Sequence, residues 1–327
     1  MIETLELLGG LLLLLIGGEF IVRGSVSIAN RFKIPSLIIG MTIVALGTSL
    51  PEFLVSMLSA IKGHPEIALG NVIGSNICNI GLILGLTALI LPVTVNKVTV
   101  KRDMPFLIFV SAILILSMLD NYIGLLDGAA LIALLIFFIA YTILRVKKYP
   151  VSSETEGLKV AWPLPVALVV VVAAGFALAY GSDLLVSGAS EIAADLGFSE
   201  RVIAITMVAL GTSLPELATS LIAAIRKEAD IALGNIVGSN ILNILMVIGG
   251  SSLIHPIETF EFDMFASDLI WMIALSLILW ISISPLRQRI RRRPPSDDHY
   301  AKLGRLGGGF LLACYICYMV FLFVFKG

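Results

Sequence analysis

The chain has 327 residues, of which 58% are hydrophobic and only 14% charged, with a formal net charge of −1. A mean hydropathy of +1.02 excludes an ordinary water-soluble domain, and the near-zero charge argues against nucleic acid or an acidic macromolecule as partner. Three cysteines cannot build a disulfide framework, and Cys314 and Cys317 sit inside an apolar run as lipid- or core-facing residues.

Taken in order, the apolar runs predict an all-α integral membrane protein with ten transmembrane helices, a bilayer crossing needing about 20 residues. The first, about Leu5–Val22, follows Glu3 and Glu6, an acidic start unlike that of a secretory signal. A basic segment from Arg23 to Lys33 comes next. The second and third helices, about Pro35–Ile61 and Ile67–Ile90, lead to a loop with Lys97, Lys101 and Arg102. The fourth and fifth, about Met104–Leu119 and Ile123–Leu144, complete a first unit, residues 1–146. A polar linker, 147–162, is too short for a regulatory domain. In 163–327 the plan repeats, with helices at about Pro163–Val186, Arg201–Ile225, Ile231–Ile254, Leu269–Ile283 and Phe310–Phe325. The arginines between 287 and 293 read as a topology-setting cytoplasmic loop. His64, His255 and His299 fall in loops, and Asp103 and Asp127 stand where helix caps are expected.

The repeat is literal. Gly47-Thr48-Ser49-Leu50-Pro51-Glu52 returns 164 residues later as Gly211-Thr212-Ser213-Leu214-Pro215-Glu216. At the same offset, Gly70-Asn71-Val72-Ile73-Gly74-Ser75-Asn76-Ile77-Cys78-Asn79 returns as Gly234-Asn235-Ile236-Val237-Gly238-Ser239-Asn240-Ile241-Leu242-Asn243. Glu19 falls on Asp183, so the chain is a tandem duplication. A glutamate inside a membrane span costs about 2.5–3.5 kcal/mol on insertion scales. Beside each glutamate stands a proline without an N–H, whose ring crowds the carbonyl of the glycine four residues before it. Freed carbonyls at that depth must be satisfied by protein, water or an ion.

With the amino terminus outside, 19 of the 22 Lys and Arg are cytoplasmic, and only Lys62, Arg201 and Lys326 are external. Both termini are then extracytoplasmic. Five helices per unit is odd, so the second copy inserts upside down relative to the first. Inverted repeats are the architecture of alternating-access transporters, with the site where the copies meet. Glu52 and Glu216 would converge there from opposite directions.

The available donors are hard oxygens: two carboxylates, the amides of Asn79 and Asn243, the hydroxyls of Thr48, Ser49, Ser75, Thr212, Ser213 and Ser239, and carbonyls near Ala45 and Ala209. No histidine lies on these stretches, and Cys78 stands alone as a thiol. That set suits Ca²⁺ or Na⁺ and not Zn²⁺ or Cu⁺. Two carboxylates balance one Ca²⁺ or two Na⁺, so the ions compete for overlapping ligands, as exchange requires. A passive channel would need a continuous pore, usually ringed by subunits. An enzyme would need a nucleophile–base pair or a basic phosphate site, and no Lys or Arg falls within either motif. No cofactor and no obligate protein partner is implied.

The doubled motifs resemble the two alpha-repeats of the cation/calcium exchanger superfamily, specifically its prokaryotic sodium/calcium exchangers. The resemblance implies a Na⁺/Ca²⁺ antiporter of the prokaryotic cell membrane with ten helices in two inverted halves. The second, third, seventh and eighth would form the ion core, and the first and sixth a sliding gate. Its calcium ligands would be Glu52 and Glu216 with the carbonyls of Thr48 and Thr212. Its sodium positions would add Ala45, Ser49, Ser75 and Asn79 on one side and Ala209, Thr212, Ser213 and Ser239 on the other. Relatives of this kind often carry Asp where this chain has Asn243, which bears on pH and potassium dependence. A proton-coupled or potassium-dependent calcium antiporter is the second reading.

Overall fold

The computed structural model describes residues 2–145, 158, 160–195, 210–258, 260–284 and 301–325. The first half contains α1 (Ile2–Phe32), α2 (Ser36–Thr48 and Leu50–Ile61), α3 (Pro65–Ile90), α4 (Thr99–Asp103 continuing as Met104–Met118) and α5 (Leu125–Arg145). The second contains α6 (Leu164–Asp195), α7 (Leu214–Ile225), α8 (Ala229–Ile254), α9 (Phe262–Ile283) and α10 (Arg305–Phe325). Among the described residues, seven helices are long and apolar enough to cross a bilayer, and the bent α2 makes eight. Residues 201–209, the arginine-rich loop, His299 and most of the linker lie outside the described residues.

Several helices outrun their apolar stretches. α1 continues to Phe32 and α6 to Asp195, so the basic segment after the first predicted helix belongs largely to that helix. The polar side chains there find partners on and off the helix: Arg23 Nε donates to Glu19 Oε1 at 2.6 Å, one turn back, and Asn30 Nδ2 donates to the Val160 carbonyl at 3.2 Å. Two short ladders accompany the helices. Strand β1 (Val93–Val95) pairs antiparallel with β4 (Ala301–Leu303), and β2 (Tyr122–Ile123) with β3 (Ile257–Glu258). Each ladder ties one half to the other. Asp127 caps as expected, its Oδ2 accepting the Gly124 N–H at 3.0 Å. Asp103 does not cap; it is fully buried and accepts from Arg102 Nε at 2.5 Å.

Burial locates the centre. In its most apolar window α8 is 94% buried and α3 72%, while α1, α5, α6, α9 and α10 are 22–33% buried. A helix apolar on every face needs neighbours on every side, and α3 and α8, which carry the Gly-Asn motifs, have them. The outer helices present large apolar side chains outward, such as Leu126 at 85% and Leu306 at 83% exposure. Such a surface suits hydrocarbon and not water.

Two packing clusters make up the interior. One joins α1 and α6 with parts of α2 and α7 and the first turn of α8; the other comprises α3, α4, α5, the rest of α8, α9 and α10 with the inner face of α2. α1 and α6 run antiparallel, Gly10 facing Gly181 while Gly188 faces Glu3 and Leu7. A Cβ on Gly10 would lie 2.5 Å from the Leu185 nitrogen, so only glycine allows this approach. The last helix of each half packs on the motif helix of the other. Gly85 of α3 meets Gly308 and Leu312 of α10, and Gly249 of α8 meets Gly128 and Leu131 of α5.

Candidate ion-binding site

The site is built where helices are interrupted. α2 bends by 45° between Thr48 and Leu50. Ser49 at the bend has φ −87° and ψ 5°, and Ser213, just before α7, has φ −91° and ψ 1°. Pro51 and Pro215 occupy the first turn of the helix that follows, where a missing N–H is tolerated. The missing donor leaves the Gly47 and Gly211 carbonyls without their usual partner one turn on. Ser182 Oγ of α6 donates to the Gly211 carbonyl. Each motif helix also widens into a π turn that begins at its last motif asparagine, Asn79–Leu84 in α3 and Asn243–Ile248 in α8. A further π turn, Gly40–Val44, immediately precedes Ala45. Wide turns of this kind recur at functional sites, and no local sequence signal announces them.

These breaks bring most of the expected residues together. Glu52, Glu216, Thr48, Ser49, Ser213, Ser75, Ser239, Asn79, Asn243 and Ala45 are all buried, and Thr212 is half-buried. Ala209 lies outside the described residues. Ser49 Oγ, from the first half, donates to Glu216 Oε1 at 3.2 Å, and Ser239 Oγ donates to the same oxygen at 3.3 Å. Thr48 Oγ1 lies 3.5 Å from Ser239 Oγ, and Ser75 Oγ lies 3.5 Å from Thr212 Oγ1. The Ala45 carbonyl is already engaged, accepting the Ser49 N–H at 2.9 Å with Thr48 Oγ1 at 3.3 Å.

What stays unsatisfied defines the chemistry. Both carboxylate oxygens of Glu52, Oε2 of Glu216, and Oδ1 of both Asn79 and Asn243 are buried without a hydrogen-bond partner. Buried acceptors are paired in nearly all native structures, so five orphans in one place call for a missing donor or cation. Among the described residues no Lys or Arg pairs with either glutamate. The free oxygens are all hard, and Cys78 adds one isolated thiol.

Four residues that frame the site were not singled out as candidates: Asn71, Asn235, Asn76 and Asn240. Thr212 Oγ1 donates to Asn71 Oδ1 and Thr48 Oγ1 to Asn235 Oδ1, both at 3.1 Å. Asn71 Nδ2 in turn donates to the Glu52 carbonyl at 3.1 Å. The signal was available, since all four recur at the duplication offset. Glu19 and Asp183, equivalent by that offset, part company. Glu19 joins Arg23 and Arg226 at the edge of the molecule, with Arg226 Nη2 at 2.7 Å, and Asp183 is exposed.

Apolar helices on all sides of a buried, oxygen-rich centre define a multi-pass integral membrane protein. The chain belongs to the sodium/calcium exchanger protein family, whose sequence profile matches residues 3–144 and 166–324. It is 31% identical to the sodium/calcium exchanger MaX1 of Methanosarcina acetivorans, over 86% of this chain and 91% of that protein. It is 37% identical to the inner membrane protein YrbG of Escherichia coli, over 79% of this chain and 82% of that one. A solved structure of the sodium-calcium exchanger NCX_Mj, soaked with zero Na⁺ and Ca²⁺, superposes with a TM-score of 0.80 at 33% identity, covering 98% of each chain. The family is one of exchangers, not of enzymes.

Proposed function

We propose that this protein is a secondary antiporter that exchanges Na⁺ for Ca²⁺ at a midplane site formed by Glu52 and Glu216. The observation that carries the reading is the convergence of two carboxylates from duplicated motifs, with three of their four oxygens without a partner and, among the described residues, no Lys or Arg paired with them. Two negative charges are matched by one Ca²⁺ or two Na⁺, so either load neutralises the centre and an empty site does not. A buried uncompensated charge costs several kcal/mol, which disfavours passage of the empty site through the membrane and couples one ion flux to the other. The Ca²⁺ ligands would be Glu52 and Glu216 with the Thr48 and Thr212 carbonyls. The Na⁺ ligands would add Ala45, Ser49, Ser75 and Asn79, and Ala209, Thr212, Ser213, Ser239 and Asn243.

The antiparallel α1–α6 pair and the cross-half packing of α5 on α8 and α10 on α3 support an architecture of ten spans in two inverted halves, 1–146 and 163–327, joined by a cytoplasmic linker. Alternating access in this reading has the antiparallel α1–α6 pair move along the faces of α2, α7 and α8 that it packs against. The distribution of basic residues favours external termini in a prokaryotic cell membrane.

The test is radiolabelled Ca²⁺ uptake into Na⁺-loaded proteoliposomes diluted into Na⁺-free medium, with a matched pH gradient and with Glu52→Gln. Uptake that needs internal Na⁺ and disappears in the variant is expected. Uptake driven only by the pH gradient would move the protein to proton-coupled transport.

A further inference from the structure

Asn76 and Asn240 sit side by side where α3 and α8 cross, each about 1% exposed. Asn76 Nδ2 donates to the Asn240 main-chain carbonyl at 3.3 Å, and Asn240 Nδ2 donates to the Asn76 carbonyl at 3.3 Å. A carbonyl oxygen can only accept, so the atom facing it must be the amide nitrogen. Both side chains are therefore fixed in orientation by the backbone, and each has its Oδ1 turned the other way. Those oxygens receive the next pair of amides: Asn243 Nδ2 donates to Asn76 Oδ1 at 3.1 Å, and Asn79 Nδ2 donates to Asn240 Oδ1 at 2.9 Å. With their nitrogens so engaged, Asn79 and Asn243 have only one way to point. Their Oδ1 atoms are the ones left buried and unpartnered.

We infer that Asn76 and Asn240 are positioning residues of the ion site, orienting Asn243 and Asn79 so that a carbonyl oxygen rather than an NH₂ group faces the transported ions. The inference rests on the reading that the centre binds Na⁺ and Ca²⁺. Its particular content is the crossing: each half supplies the asparagine that orients the other half's ligand. An NH₂ group turned inward would repel a cation, so losing the relay removes a ligand and sets a partial positive charge in its place. Holding the two ligand oxygens through one shared α3–α8 contact also keeps the half-sites in register with each other. The relay consists wholly of neutral amides, so it sets ligand geometry without adding to the −2 charge that the ions must balance.

The test uses the purified full-length chain and measures half-saturating Na⁺ and Ca²⁺ by ion-dependent thermal stabilisation, alongside exchange in proteoliposomes. Residues that orient a metal ligand from behind typically change affinity roughly 10–100-fold. Asn76→Ala is expected to raise half-saturating Na⁺ about tenfold while the maximal exchange rate at saturating ion changes little. Adding Asn76→Ala to Asn243→Ala should cause no further loss, because the ligand it orients is already gone, whereas adding it to Asn79→Ala should multiply the two effects. The mirror variant, Asn240→Ala, should couple with Asn79→Ala in the same way. Unchanged half-saturation in folded Asn76→Ala and Asn240→Ala, or equal coupling of Asn76 to both ligand asparagines, overturns the relay and leaves the exchanger reading intact. Absence of any Na⁺ or Ca²⁺ stabilisation in the unmodified protein overturns the ion-site reading, and the relay with it.

Discussion

Ser49 Oγ, on the bend of α2, lies 3.2 Å from Glu216 Oε1, although the two residues are 167 positions apart. Glu216 thus carries one hydroxyl from each half, from Ser49 and Ser239, whereas Glu52 has no donor on either oxygen. The glutamates are equivalent in sequence and unequal in their surroundings.

That inequality predicts how their amides behave. Glu216→Gln keeps an oxygen for both hydroxyls, and Glu52→Gln loses no bond at all. Removing a buried unpaired charge relieves a desolvation cost, so both variants should melt no lower than the unmodified protein in ion-free detergent. The stabilisation by saturating Ca²⁺, about 2.7 kcal/mol at 100 times Kd, should be lost in both. A Glu52→Gln protein that unfolds without ions, or that retains the Ca²⁺ shift, would contradict the site.

The α1–α6 contact predicts a contrast between adjacent glycines. A Cβ at Gly10 would meet Leu185 N at 2.5 Å and Gly181 O at 2.6 Å, while one at Gly9 meets nothing within 4 Å. Gly10→Ala should destabilise by about 1–3 kcal/mol as the helices are forced apart. Gly9→Ala should stabilise by about 0.5–1 kcal/mol through helix propensity. Thermal unfolding of the two variants side by side measures the difference, and similar values would place the close contact elsewhere.

Glu19, Arg23 and Arg226 form an ion cluster, with the Arg226 side chain 42% exposed and that of Glu19 20%. Solvent screens pairs this open, and such pairs contribute about 0.2–1 kcal/mol. A Glu19→Gln/Arg226→Gln double-mutant cycle should give a coupling in that range that shrinks in high salt. A coupling of several kcal/mol would mean that the cluster is shielded from solvent.

Glu228 lies in the turn between α7 and α8, and its Oε1 accepts the Leu158 N–H at 2.8 Å. Burial pushes its carboxyl above the ordinary value of 4.5; the Leu158 bond opposes this, and the Asp230 charge adds to it. The folded chain therefore holds this proton to higher pH than the unfolded chain does. The resulting stabilisation is complete below the unfolded value and is lost as pH rises through the folded one. Glu228→Gln keeps the acceptor for Leu158 and removes the titration. Its stability relative to the unmodified protein should rise with pH above about 4.5 and level off beyond the raised value. A difference that stays flat with pH would show that Glu228 does not titrate differently on folding.

Much was legible in the sequence because the determinants are local or repeated. Hydropathy set the membrane class, and the offset of 164 residues picked out Glu52 and Glu216 as a pair before any contact was known. Pro51 and Pro215 marked the helix breaks, since a residue without an N–H cannot continue a helix that is already running. Helix ends were less legible: hydropathy ended the first helix near Val22, because only the apolar part of a helix registers in hydropathy, yet Arg23 and Arg31 continue α1. The π turns at Asn79 and Asn243 depend on how α3 and α8 pack on their neighbours, and single residues do not encode that.

The sequence alone determined that a set of hard oxygen donors stands twice in an apolar chain, because side-chain chemistry and repetition need no coordinates. Tertiary structure decided which oxygens are free. Asn71, Asn76, Asn235 and Asn240 are as polar as Asn79 and Asn243, and nothing in residue type separates the two groups. Only the crossing of α3 and α8 turns Asn76 and Asn240 toward main-chain carbonyls and leaves Oδ1 of Asn79 and Asn243 without a partner. A hydrogen bond is satisfied between specific atoms in space, so the distinction between a free oxygen and an engaged one exists only once the two halves are packed together.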